Sequence, residues 1–262
     1  MKIKFLCAAA ALGIAGASQA AYADAPAPTP EFTVTGDAAI VSQYKFRGIS
    51  QSDSKPAAQM AITVTDASGF YVATWGSSGT NGPLTPNGGT EIDVYGGYGK
   101  TIAGYSLDGG VYGYIYPNLA NNNLFEVYAD VSKSYGPIGV KLGLNWAPKQ
   151  HYFSFNNPTG TQYSMYEYVE FTYSPASLSA LTLHSHIGHT GGGLNYVKEY
   201  MDYTAGVGYK WKNLTFDVSA VGTNVGKGDS HANPYFFNGL ADPGDTHRLA
   251  KAAAVVSLTA SF

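Results

Sequence analysis

The chain holds a single cysteine in 262 residues, Cys7. It lies inside an N-terminal leader, too near the start and too far from the expected cleavage region to be a lipidated residue. The processed protein is therefore expected to carry no thiol, which excludes a disulfide framework, a Cys-based metal site and a Cys nucleophile. There is no run of 18 consecutive apolar residues, so no transmembrane helix is expected. Helical periodicity is also absent. No basic run occurs and the formal net charge is −3, which speaks against a nucleic-acid partner. No G-x-S-x-G motif is present, and nothing calls for a cofactor or a resident metal.

The N-terminus has the three parts of an export signal. Lys2 and Lys4 form a positive region and Phe5 to Ile14 a short apolar one. Ser18-Gln19-Ala20 and Ala21-Tyr22-Ala23 offer A-x-A-like sites, with cleavage expected after Ala23 and Ala20 as the alternative. The apolar run is well short of the roughly 20 residues that span a bilayer. Residues 1–23 read as a signal peptide, 24–31 as a Pro/Ala-rich linker stiffened by Pro26, Pro28 and Pro30, and 32–262 as one domain. Losing Lys2 and Lys4 takes the formal charge to −5.

What fills that domain is alternation with period 2, repeated along its whole length, the mark of strands with two unlike faces. Tyr 21, Phe 12 and Gly 32 agree with it. Twelve strands are predicted. The first runs from Phe32 to Arg47, with Phe32, Val34, Ala38, Ile40, Tyr44 and Phe46 on one face. The third, about 69–77, holds Trp75 with ambiguous parity, and the eighth, about 163–173, has two mixed faces. The last sets Ala254, Val256, Leu258, Ala260 and Phe262 against Ser257, Thr259 and Ser261. Short turns near 66–68, 100–102, 134–137, 175–177 and 210–212 alternate with longer segments at 48–56, 78–88, 117–123, 148–162, 190–200 and 223–248. Outer-membrane barrels separate their connections in this way, and an even strand count leaves both termini on the periplasmic side.

The contents of the two faces distinguish a membrane barrel from a soluble barrel or sandwich. The apolar face is nearly free of charge in mid-strand, whereas the polar face carries charge on nearly every strand. On a lipid-facing surface a mid-depth basic residue costs about 2–4 kcal/mol, so register is strongly set. Phe46 and Trp146 at outer strand ends, with Tyr173, Tyr209 and Phe262 at inner ends, suit a headgroup-level girdle. The fold expected is an antiparallel up-and-down transmembrane β-barrel of 12 strands. Its pore-lining residues are expected to be Lys45, Arg47, Glu91, Asp93, Asp108, Tyr112, Tyr114, Glu126, Asp130, Lys141, Asp202, Lys210 and Asp217. With Asp37 and Lys251 the lumen counts five basic groups against eight acidic ones, a weak cation preference.

Phe262 after alternating apolar residues resembles the C-terminal strand that the barrel-insertion machinery reads, by strand addition at an open edge. Val41-Ser42-Gln43-Tyr44-Lys45-Phe46-Arg47-Gly48-Ile49-Ser50-Gln51-Ser52 is more specific. Together with Pro56-Ala57-Ala58-Gln59, Gly69-Phe70-Tyr71-Val72-Ala73-Thr74-Trp75-Gly76, Glu91-Ile92-Asp93, Tyr114-Ile115-Tyr116-Pro117 and Val221-Gly222-Thr223, it resembles the TorF-type porin family of proteobacteria, an outer-membrane family of unknown function. The alanine-rich stretch Leu249 to Ala254 departs from that pattern. The resemblance implies a barrel porin and names no solute.

The function expected is a narrow channel for passive transport of small polar solutes, with outer-membrane lipid and the insertion machinery as partners and no enzymatic activity. A closed structural or adhesive barrel is the alternative, its charges forming internal salt bridges; a barrel enzyme is the more distant one. Lys45 and Arg47 are expected to face Glu91 or Asp93. His184 and His186 share a face two residues apart, but without a third ligand they read as lumen histidines. Segment 223–248, with Asn224, Asp229, Asn233, Phe236, Phe237, Asp242 and Asp245, has three readings: folded into the mouth, calcium-binding, or mobile, the last favoured.

Overall fold

A computed structural model describes residues 31–79, 81–82, 85–86, 89–117, 123–150, 163–193, 198–231 and 243–262. The leader, the linker up to Pro30, and Asn233, Phe236, Phe237 and Asp242 lie outside the described residues.

Twelve antiparallel strands close on themselves. In chain order they are β1 Phe32–Val41, β2 Ala57–Asp66, β3 Phe70–Ser78, β4 Thr90–Ile102, β5 Tyr105–Ile115, β6 Leu124–Tyr135, β7 Ile138–Ala147, β8 Ser164–Tyr173, β9 Leu181–Gly192, β10 Tyr200–Trp211, β11 Leu214–Thr223 and β12 Ala253–Ser261. Each pairs with its sequence neighbours, and β1 meets β12 at the seam, where Asp37 lies opposite Ser261 and Val41 opposite Ser257. Phe262 completes the seam. Its backbone exchanges two 2.9 Å hydrogen bonds with Gly36, and its ring lies over Gly36, where a Cβ would collide with it.

The alternation of the sequence becomes two surfaces. Val34, Ile40, Met60, Val72, Val94, Val111, Phe125, Leu142, Leu144, Ile187, Phe216 and Leu258 point outward and are exposed. Trp146, Tyr173, Tyr209 and Phe262 are exposed on the same face near its two ends, as the girdle reading requires. The inner face is polar and aromatic: Glu91, Asp93, Glu126, Asp202 and Asp217 are buried there with Tyr112, Tyr114 and Tyr166. A soluble barrel has the opposite arrangement. Tight connections gather at one end, as at Ala103-Gly104, where both residues take positive φ (51° and 79°) in the manner of a type I′ hairpin turn. Long connections gather at the other end, so the barrel has a turn end and a loop end.

Three expectations change. The first strand stops at Val41 rather than reaching Arg47. Beyond Ser42 the chain leaves the wall and turns inward, so Tyr44 and Phe46, placed on the outer face by parity, are buried inside. Helices, absent from the sequence pattern, occur as α1 Lys227–His231 and α2 Pro243–Ala250. The described residues of segment 223–248 thus carry a helix toward each end. Lys251, counted in the lumen, is exposed at the loop end because it follows α2 instead of belonging to β12.

Candidate functional site: an occluded lumen

The segment between β1 and β2 folds into the barrel as a short hairpin, with Lys45 paired to Ser50 and Phe46 to Ile49. Its two-residue turn is Arg47-Gly48, with φ of 46° and 77°. Gly48 is required there twice over. Positive φ disfavours a side chain, and a Cβ would come within 2.5 Å of Thr223 and 2.8 Å of the Gly222 carbonyl. Replacing Gly48 with Ala is expected to destabilise the barrel by about 1–2 kcal/mol or more and to loosen the hairpin. Denaturant titration of the folded protein measures the first effect and conductance the second.

The turn delivers Arg47 to the centre of the interior. Nη2 donates to both oxygens of Glu126, at 2.9 and 2.7 Å, and both side chains are buried. The guanidinium also lies over two rings, 4.7 Å from the centroid of Phe46 and 4.2 Å from that of Tyr166, a cation–π arrangement. Glu126 takes further hydrogen bonds from Tyr114 (3.1 Å) and Asn145 (3.2 Å). Beside it, Tyr44 donates to Glu91 at 3.2 Å and Tyr112 to Asp93 at 2.8 Å. Tyr44 tilts against Trp75 at 5.3 Å, and Phe46 meets Tyr114 edge-on at 5.7 Å. Wall and hairpin interlock here.

A second layer covers the hairpin. Ile49 packs with Tyr200, Val225 and Ala250. Lys45 Nζ donates to the carbonyls of Gly48 (3.0 Å), Leu249 and Lys251 (both 3.1 Å), binding the hairpin to the end of α2. Arg248 pairs with Asp53, which also meets Lys55 at 3.1 Å. Burial works against the Asp53 carboxylate, but Arg248 and Lys55 outweigh it and hold its pKa below the usual carboxylate range. A depressed acid pKa means the clasp is intact above about pH 4 and lost as pH falls through the folded value. Acidification below about pH 4 is therefore expected to speed proteolysis near α2, and Asp53→Asn to have the same effect at neutral pH.

Beneath the hairpin, toward the turn end, lies a cavity of about 620 Å³. Pro137, Ser174 and Thr182, at or next to the short connections, border it at one end, and Tyr44, Phe46 and Arg47 at the other. The lumen is blocked on the loop side and hollow on the turn side. Tyr168 lies in this cavity's wall because its cross-strand neighbour is Gly143; a side chain there would occupy the space of its ring.

Apart from Lys251, the sequence-assigned polar residues face inward, but they separate into groups. Glu91, Asp93, Tyr112, Tyr114 and Glu126 form the seat of the hairpin. Arg47 meets Glu126 and not Glu91 or Asp93, because the inward turn carries it across the lumen instead of along the wall. Lys45 is held by backbone carbonyls. Asp130 and Lys141 pair at 3.5 Å in the cavity wall. Asp108 accepts from Tyr71 at 2.8 Å, away from the cavity, and Lys210 stands half-buried near the turn end, opposite Thr215. Asp202 and Asp217 meet histidines. Sequence reasoning missed Tyr44, Trp75, Tyr166, Tyr168 and Glu170 as interior groups. Glu167 hid the last three: it points outward and pairs with His189 at 3.0 Å, blurring the parity of β8.

Both lumen histidines are engaged. His186 meets Glu170 and Asp202 at 3.3 Å and Tyr166 at 2.6 Å. His184 Nε2 meets Asp217 at 2.7 Å, and Ser219 Oγ approaches that same nitrogen at 3.4 Å. A Ser-His-Asp relay needs the acid and the nucleophile on opposite ring nitrogens. Here both address Nε2, so the trio has the wrong geometry for acyl transfer.

No curated protein matches the sequence. Among solved structures the barrel is similar to the KdgM porin (13% identity, 87% of this chain and 99% of that one, TM-score 0.53) and to the NanC porin (11%, 88% and 99%, TM-score 0.53). It is also similar to the COG4313 outer membrane channel from Pseudomonas putida F1 (11%, 89% and 96%, TM-score 0.50). At such identities the likeness establishes the fold, the closed barrel of outer-membrane porins. A family model covers residues 24–262, and the chain belongs to that family, Gcw_chp, a bacterial family of unknown function.

Proposed function

We propose that this protein is an outer-membrane channel for passive passage of small polar solutes, narrow and weakly cation-preferring, held shut on its loop side by the Arg47 hairpin. The observation that carries the reading is the hollow, charged and tyrosine-lined interior within a closed 12-stranded barrel whose outer surface is apolar. Twelve strands lie between the 8 that side chains fill and the 16–18 that leave an open aqueous channel. Such a barrel is passable, but an inward loop can close it. The KdgM porin has also been solved in complex with disordered oligogalacturonate, so this architecture is compatible with solutes longer than a single sugar. The excess of lumen carboxylates favours cations over that polyanion.

The reading includes removal of residues 1–23, the TorF-type assignment within the family, insertion through the Phe262 strand, and the loop end facing outward. Liposome swelling with graded sugars and amines tests it, alongside planar-bilayer recording. Swelling limited to small solutes and a reversal potential on the cation side are expected. Impermeable liposomes for both wild type and a hairpin-deleted variant would leave the closed structural barrel, which the buried Arg47–Glu126 pair favours. Clear anion selectivity would remove the cation assignment.

A further inference from the structure

The cavity under the hairpin has more character than a water-filled passage requires. At about 620 Å³ it falls within the range of small-molecule sites, about 300–1,000 Å³. Its walls alternate aromatic faces with carboxylates. The protein's own cations already rest on those rings: Arg47 lies 4.2 Å from the Tyr166 centroid, and Lys141 Nζ 5.5 Å from that of Tyr168. Two of the lining carboxylates, Asp37 and Asp202, are incompletely answered. Asp202 is 3% exposed. Its Oδ1 takes Tyr166 and His186, while its Oδ2 has no hydrogen-bond partner among the described residues. Asp37, across the cavity on β1, is in no ion pair among them. The corresponding unanswered donor is Arg47 Nη1, and it belongs to a guanidinium that Glu126 already neutralises.

A buried polar atom without a partner costs about 1–3 kcal/mol; Asp202 Oδ2 is such an atom, screened from the cavity until the carboxylate turns, and Asp37 is the half-buried carboxylate that faces the cavity. Their complement is a donor-rich cation. Asp130, Glu170 and Asp217 are answered by Lys141, His186 and His184, so the repulsion that anions meet comes from Asp37 and Asp202. A neutral sugar satisfies the acceptors but gains nothing from the charge, whereas an organic ammonium satisfies the acceptors, gains the charge and stacks on the tyrosines.

We propose that this cavity is a binding site for small organic ammonium or guanidinium cations, reached from the turn end, with Asp37 and Asp202 as counter-charges and Tyr166 and Tyr168 as the aromatic wall. Binding itself follows from the cavity alone; only the statement that such cations are the transported solutes rests on the channel reading.

Calorimetric titration of the detergent-solubilised barrel tests the site, with benzylammonium as probe and benzyl alcohol, benzoate and maltose as comparisons. Benzylammonium is expected to bind at least about tenfold more tightly than the other three, and Asp37→Asn and Asp202→Asn each to weaken it by about tenfold. Heat-modifiable migration on gels verifies that each variant is folded; Asp37→Asn, outside the Tyr166–His186 network, serves if Asp202→Asn does not fold. Equal binding of benzyl alcohol or maltose, tighter binding of benzoate, or full affinity in folded Asp37→Asn overturns the proposal. Ammonium binding in a barrel that passes no current keeps the site and discards the channel. Current without ammonium binding does the reverse.

Discussion

Arg47→Ala is expected to open the lumen and to weaken the fold at once. The hairpin reaches the centre of the barrel through this one side chain, whose 2.7 Å contact with Glu126 is buried on both sides. With the guanidinium gone, the turn loses its ion pair and both ring contacts, and single-channel conductance should rise several-fold. The stability cost comes from what remains. Glu126 keeps hydrogen bonds from Tyr114 and Asn145 but loses its counter-charge, and breaking a buried pair from one side costs about 3–5 kcal/mol. Arg47→Ala/Glu126→Gln should recover most of that loss while the channel stays open, because the buried charge has been removed. Unchanged conductance in a folded Arg47→Ala variant would show that the hairpin does not close the lumen. A double variant as unstable as the single one would show that the charge pair is not what couples hairpin to wall.

The wall was legible in the sequence, and the object inside it largely was not. Period-2 alternation identifies a strand by its unlike faces, and that signal is strong where one face meets an apolar medium, as with Ile92 and Val94 against Glu91 and Asp93. It fails wherever a residue's surroundings are not set by strand parity. Tyr44 and Phe46 continue the apolar parity of β1 by coincidence, so Phe46 reads as girdle although it packs inside against Tyr114. The contrary signal was present: Arg47-Gly48 between two short apolar-polar pairs is a hairpin turn sequence, with glycine at a position of positive φ. Glu167 broke the pattern of β8 in the other direction, a charge placed outward beside His189. The pairing of Arg47 with Glu126 was beyond sequence reasoning altogether. It depends on how far a turn reaches across a lumen, and two residues 79 positions apart carry no local mark of that contact.

A second large effect on stability is expected from a charge on the outer wall, and it tests the orientation of every strand together. Leu142 lies mid-strand on β7, 53% exposed, flanked in register by Val131 on β6 and Val169 on β8. If that belt meets hydrocarbon, Leu142→Arg costs about 2–4 kcal/mol, while Ile138→Arg, at the turn end of the same strand, costs about 0–1 kcal/mol. The contrast between the two sites matters more than either value. In water both are surface positions, and neither substitution costs much, since an exposed leucine gains nothing there that an arginine would forfeit. Guanidinium titration of the barrel in phospholipid vesicles, followed by Trp fluorescence, measures the difference. Equal and small costs at Leu142 and Ile138 would mean that the apolar surface is not facing lipid. A cost confined to Leu142 would mean that depth within a bilayer, and not burial in protein, keeps charge off this face.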